Sequence, residues 1–190
     1  MIKYDPENHH RHSIRLKDFD YSRAGAYFVT ICTYNKECML GNIINDKMHL
    51  NKYGSIFKNE WLQSSNIRSE VKFDKYIIMP NHFHAIIFIL ETLDNIEAYS
   101  RSPLRMKPKS LSSLMSGFKS SITSKINKLK NTPGLPVLQR NYYEHIIRNE
   151  NELNCIREYI LNNPLKWQLD MENPDSLHKT TLKDYYKFII

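Results

Sequence analysis

The sequence predicts an α+β domain, and three observations lead there. Runs rich in β-branched and aromatic residues at 27–33, 71–79 and 82–90 read as strands. Stretches at 53–62, 110–130 and 149–163 carry apolar residues at steps of three and four, the signature of helices with one buried face. Breakers separate them, notably Pro80-Asn81, Pro133-Gly134 and Pro164. With 190 residues, 41% of them hydrophobic, the chain suits one core with appendages better than two domains.

The first 17 residues are polar, and 1–12 reads as a mobile arm whose His9-His10-Arg11-His12 tract is basic rather than metal-binding. Tyr27 to Thr33 is the first strand. Short strands near Ile43 and Met48 form a hairpin about Asn45-Asp46, and Ile56, Phe57, Trp61 and Leu62 give the first helix its apolar stripe. Val71 to Met79 and His82 to Leu90 are strands joined by the Pro80-Asn81 turn. Residues 91–108 lack apolar periodicity and read as a long loop. The second helix, from about Ser110 to Lys130, buries Leu111, Leu114, Met115, Phe118, Ile122, Ile126 and Leu129. A further strand lies near Tyr142-Tyr143. The last helix opens on Asn149 with Glu152 three positions later, a capping-box pattern, and stops at Asn163 because Pro164 disfavours helical geometry in its predecessor.

Composition excludes several classes. The five glycines, at 25, 41, 54, 117 and 134, are never closer than thirteen positions, so neither a dinucleotide fingerprint nor a phosphate loop can be written, and no nucleotide cofactor is expected. Cys32, Cys38 and Cys155 form no C-x-x-C pair and read as reduced packing residues. No apolar run approaches the roughly 18 to 20 residues that cross a bilayer, and no signal peptide opens the chain, so a cytoplasmic protein without membrane partners is expected. The net charge of +7 is uneven: residues 101–148 hold ten Lys and Arg against the single Glu144. Such a stretch attracts polyanions through counterion release, although charge alone fits a solvated helix face equally well.

His82-Phe83-His84 opens a strand, and a period of two puts both imidazoles on one face with Phe83 opposite. Their separation along the strand, roughly 6.6 Å, lets the rings converge on one cation. Ile86, Phe88 and Leu90 continue that face, Ala85, Ile87 and Ile89 the other, so the strand is central and its polar end should open at the sheet's edge. Tyr159 and Asn163 lie one turn apart on the last helix. A tyrosine hydroxyl beside two imidazoles and an amide oxygen gives a nucleophile next to an open, catalytic type of metal site. Taken alone, each is better explained without chemistry: Tyr159 by packing, Asn163 by a helix terminus, and the histidines by a strand mouth without a ligand.

The combination carries a family resemblance. Met79-Pro80-Asn81-His82-Phe83-His84 resembles the HUH motif of single-tyrosine transposases, and Tyr159-Ile160-Leu161-Asn162-Asn163-Pro164-Leu165-Lys166 resembles the tyrosine helix of their REP-associated branch. Ser13 to Lys17, Gly25 to Thr33 and Gly117-Phe118-Lys119-Ser120 are similar to other parts of that branch, so the likeness runs from about Ser13 to Trp167. It implies one HUH tyrosine transposase-like domain over 1–167 and a C-terminal extension over 168–190. The implied fold is a ferredoxin-like antiparallel sheet with helices packed mainly on one face and the nucleophile on the C-terminal helix. His82, His84 and Asn163 would bind a divalent metal, Mg²⁺ or Mn²⁺ rather than Zn²⁺ for a mixed imidazole and amide set. Tyr159 would be the catalytic nucleophile, cleaving and rejoining single-stranded DNA or DNA hairpins through a 5′-phosphotyrosine. Arg105, Lys109, Lys119, Lys125, Arg140 and Arg148 would bind the DNA, with Glu144 and His145 either supporting the site or purely structural. The family commonly has Trp before its Gln-Arg pair, where this chain has Leu138 before Gln139-Arg140. The rival implication is a DNA-hairpin-binding regulator without catalysis, which would need neither Tyr159 nor Asn163.

Overall fold

A computed structural model describes Asp20, Tyr21 and residues 23–91 and 109–176. The amino-terminal arm, the 92–108 loop with Arg101, Arg105 and Lys107, and Tyr185-Tyr186 lie outside the described residues. β1 (Gly25–Cys32) is followed by a short hairpin of β2 (Gly41–Ile44) and β3 (Lys47–Leu50), then α1 (Lys52–Ile67). β4 (Val71–Ile78), β5 (His82–Ile89), α2 (Leu111–Lys130), β6 (Tyr143–Ile147) and α3 (Glu150–Asn162) complete the fold, with a 3₁₀ helix over Pro164–Leu169. Among the described residues no helix is long and apolar enough to cross a membrane.

The main sheet has the order β4-β5-β1-β6 and every neighbouring pair is antiparallel. Without the β2-β3 hairpin this is two interleaved β-α-β units, the ferredoxin-like arrangement. α1 and α2 cover one face, where Phe57, Trp61 and Phe118 meet Phe83 of β5 and Trp61 stacks on Phe73 at 3.9 Å. α3 takes the other face, packing Leu153, Ile156 and Ile160 on Phe28 and Ile86. Two helices therefore share one face as expected, while the third forms a separate small core around the imidazoles.

Local chemistry sets the element ends. Asn45 and Asp46 both adopt positive φ (49° and 57°), the twist a two-residue hairpin turn needs. Asn51, Ser110 and Asn149 cap the three helices by accepting backbone N–H groups of their first turns. The expected capping box on α3 is rearranged, because Glu152 accepts from the Arg148 N–H at 2.6 Å and meets His145 Nε2 at 2.7 Å. His145 and Glu152 thus tie β6 to the start of α3. A break in the β4 register between Phe73 and Tyr76 spans Asp74, which accepts from Arg157 of α3 at 2.7 Å.

Two glycines of opposite kind test this packing. A Cβ at Gly54 in α1 would press on the Leu40 carbonyl oxygen and stand 2.9 Å from Leu50 Cδ2, whereas at Gly117 in α2 it would meet only Arg68 Nη2 at 3.7 Å. Gly54→Ala should therefore lose roughly 1–3 kcal/mol in urea denaturation. Gly117→Ala should gain about 0.5–1 kcal/mol from helix propensity. Equal effects at the two positions would refute the close approach of α1 to the hairpin.

Candidate metal centre and its tyrosine

The site begins with strand alternation. His82 and His84 point from β5 towards α3, their ring centroids 4.6 Å apart, while Phe83 enters the opposite core. Both rings are fully buried, which differs from the open sheet edge that the polar strand end suggests. Residues after α3 supply the cover: Trp167 lies 5.9 Å from His82, ring to ring, and Asp170 closes the same side.

Each imidazole is held through Nδ1. Thr30, directly across the β1–β5 ladder from His84, places Oγ1 2.8 Å from His84 Nδ1. Asn81 places Oδ1 2.9 Å from His82 Nδ1, and its own Nδ2 donates to the Lys36 and Glu172 carbonyls. Asn81 Oδ1 can only accept, so neutral His82 carries its proton on Nδ1 and presents Nε2 as a lone pair, and His84 does the same when the Thr30 hydroxyl accepts from its Nδ1. Burial lowers the pKa of both: for His84 the neighbouring His82 lowers it further, whereas for His82 the Asp170 and Glu172 carboxylates partly restore it.

Three groups gather round these lone pairs. Tyr159, half-buried on α3, crosses Phe28 and His84 edge to face and brings its hydroxyl 3.0 Å from His84 Nε2. Asn163, at the C-cap of α3, lies against His82, yet neither its amide oxygen nor its nitrogen finds a hydrogen bond of normal geometry. Asp170 Oδ2 stands 3.8 Å from His82 Nε2 while Oδ1 accepts from the Glu172 N–H. His82 Nε2, Asn163 Oδ1 and Asp170 Oδ2 are all buried and unsatisfied, and such groups cost about 1–3 kcal/mol apiece when left so. One potential donor atom from each of His82, His84 and Asp170 falls within a 4.8 Å cluster. Two imidazoles and a carboxylate gathered this closely, with the unsatisfied Asn163 amide against His82, fit a divalent cation. The structure thus brings together His82, His84, Tyr159 and Asn163, and adds to the expected set a candidate carboxylate, Asp170. Asp170 was missed because it follows the tyrosine motif, in residues assigned to an extension. Its signal is one acid of three, Asp170, Glu172 and Asp175, just beyond an apolar Trp167, too common to single out. Within residues 168–176, Asp170, Glu172 and Asn173 are buried against the domain.

The cations expected to bind DNA separate into kinds. Lys119 turns its ammonium to the Gln139, Arg140 and Asn141 carbonyls and clamps that loop, and burial draws its pKa down to about 8. Lys125 pairs with Glu60, which also holds Ser121, so its charge is already balanced. Arg140 and Arg148 are exposed, Lys109 sits in a left-handed conformation just before the α2 cap, and Arg105 falls outside the described residues. Leu138 is buried, bridging to Thr33 at the end of β1.

No protein-family model matches the chain. It is 42% identical over 174 residues to an uncharacterized protein from Haemophilus influenzae, an alignment covering 88% of this chain and 96% of that one. Among solved structures, a REP-associated tyrosine transposase bound to a REP hairpin superimposes with a TM-score of 0.55 at 17% identity, covering 93% of this chain and 88% of that chain. The second likeness establishes a shared fold.

Proton linkage gives the site a measurable consequence. The folded pKa of each imidazole lies below the unfolded 6.5, so between those values the unfolded chain binds protons that the folded chain does not. Stability must then fall as pH drops below about 6.5. In EDTA the urea midpoint should decline from pH 7.5 to 5.5, and His84→Gln should flatten that decline; a wild-type midpoint independent of pH over this range would contradict buried neutral imidazoles. Adding Mn²⁺ at pH 7.5 should raise the wild-type midpoint and leave that of His82→Ala unmoved.

Proposed function

Because the chain belongs to the family of the Haemophilus influenzae protein and shares the fold of a REP-associated tyrosine transposase, we propose that it cleaves and rejoins single-stranded DNA through Tyr159. One observation carries the reading. The Tyr159 hydroxyl reaches a buried cluster of imidazole, amide and carboxylate groups whose unsatisfied acceptors call for a cation.

The residues act as follows. His82, His84, Asp170 and Asn163 would hold the ion, Mg²⁺ or Mn²⁺, with Thr30 and Asn81 fixing the two rings. A bound divalent cation would supply the positive charge that polarises a phosphate oxygen and lowers the tyrosine pKa from its usual ~10. Phe28 and His84 hold the Tyr159 ring edge to face, so its oxygen approaches the cluster in one orientation. That oxygen attacks phosphorus, the bond to the 3′-oxygen breaks, and a 5′-phosphotyrosine remains, which retains phosphodiester energy and lets rejoining proceed without a nucleotide cofactor. The half-exposure of Tyr159, beside rings with no exposure, makes its side of the cluster the approach for DNA. The solved neighbour's REP hairpin supports hairpin DNA as the substrate class.

Tyr159→Phe removes only the hydroxyl and its bond to His84, costing about 0.5–1.5 kcal/mol of stability. On a labelled hairpin with single-stranded flanks, wild type with Mg²⁺ or Mn²⁺ should leave a denaturation-resistant adduct carrying the 5′ end of the downstream fragment. Tyr159→Phe should bind the hairpin but form no adduct, while Tyr142→Phe and Tyr143→Phe still form it. An adduct that survives in Tyr159→Phe would reassign the nucleophile; binding with no adduct from wild type under any divalent cation would favour a regulator.

A further inference from the structure

The outer side of α2 has a use beyond filling the core. Ser120, Thr123 and Ser124 follow one another at helical spacing, and the chain after the helix returns alongside them. Two side chains hold that return segment in place. Buried Asn127 donates from Nδ2 to the Leu135 carbonyl at 2.8 Å and accepts from Thr132 Oγ1 at 3.2 Å, and Lys119 binds the carbonyls of 139–141. Between the two clamps lies a groove of about 730 Å³. That is within the roughly 300–1,000 Å³ of pockets that take small ligands.

Its lining is chemically one-sided. Lys128 and Arg140 contribute positive charge, the three hydroxyls line the helix side, Leu135 and Leu138 supply apolar surface, and among the described residues no carboxylate lines it. Cations and hydroxyls suit phosphate oxygens, while an apolar strip between them suits the face of a base. A concavity of this size takes one or two nucleotides and not the broad side of a duplex. Its location joins it to the candidate centre: the Gln139 N–H donates to the Cys32 carbonyl at 2.9 Å, Leu138 bridges to Thr33, and Cys32 is the ladder partner of His82. The groove and the imidazoles share one end of the sheet, on opposite faces.

We propose that this groove binds an unpaired stretch of the DNA substrate, one or two nucleotides that pass round the end of β1 towards Tyr159. The proposal rests on the function proposed above and assigns it a specificity subsite, with Lys128 and Arg140 on phosphates and the hydroxyls of Ser120, Thr123 and Ser124 on the same backbone. Lys119 and Asn127 shape the groove and touch no DNA.

The test is fluorescence anisotropy of the full chain in EDTA, with a DNA hairpin carrying an unpaired extension and with the same hairpin blunt. Wild type should prefer the extended hairpin. The double variant Lys128→Gln, Arg140→Gln should lose about tenfold or more on the extended hairpin and under twofold on the blunt one, with the salt slope reduced by about two units. Ser124→Phe, which fills the groove from an exposed position, should show the same selectivity without any change of charge. Equal losses on both probes, no loss on either, or no wild-type preference for the extension would each overturn the proposal, and groove-dependent preference for RNA of the same sequence would overturn the assignment to DNA. The adduct assay separates this from the catalytic reading. A Tyr159 adduct with unchanged groove variants removes the groove alone; selective binding without an adduct removes catalysis alone.

Discussion

Two imidazoles buried side by side dictate how the elements around them must pack. Water would satisfy their ring nitrogens; under α3 and Trp167 the protein must do so. It answers half of the demand, giving each Nδ1 a partner on a neighbouring element, Thr30 across the ladder and Asn81 in the β4–β5 turn. Of the two Nε2 atoms, that of His84 meets the Tyr159 hydroxyl and that of His82 stays unsatisfied, beside Asn163 and Asp170 with further unsatisfied polar atoms. Buried acceptors left facing one another are destabilising, and a divalent cation is the group that satisfies several of them at once.

The fold serves this arrangement. The interleaved β-α-β units put β1 and β5 at the centre of the sheet and send α1 and α2 to one face, leaving the other face for α3. α3 is then fixed at three places: its capped start by Asn149 and the His145–Glu152 pair, its middle by Arg157 and Asp74, its end by Ile160 in the core. Those fixings decide where Tyr159 and Asn163 arrive. Asn81 anchors to the Glu172 backbone as well as to His82, so the segment after α3 and the β4–β5 turn hold each other. The stretch from Trp167 to Asn173 is structurally part of the centre.

Much of this was legible in the sequence, for reasons of periodicity. Alternation assigned the faces of β5, the i, i+4 spacing paired Tyr159 with Asn163, and residue chemistry marked the Asn45-Asp46 turn and the Asn149 cap of α3, while the Asn51 and Ser110 caps emerged only in the structure. The motifs that carry the family resemblance also lie in regular elements, where local pattern determines direction. What was not legible depends on contacts distant in sequence. Asp170 reaches His82 across a 3₁₀ helix and a turn, and nothing local distinguishes it from a surface acid. The burial of the imidazoles depends on Trp167, which belongs to the same late segment. Charge counting could not separate Lys119 and Lys125, committed to carbonyls and to Glu60, from Arg140, because net charge is blind to partners.

If the unsatisfied acceptors under α3 form one cation site, a divalent ion must sit at a single position among them. Crystals grown with Mn²⁺ and measured at the manganese absorption edge test it most directly. The expected result is an anomalous peak bounded by His82 Nε2, His84 Nε2, the Asp170 carboxylate and Asn163 Oδ1. A well-ordered structure with no peak there, at Mn²⁺ concentrations that support DNA cleavage, would contradict it.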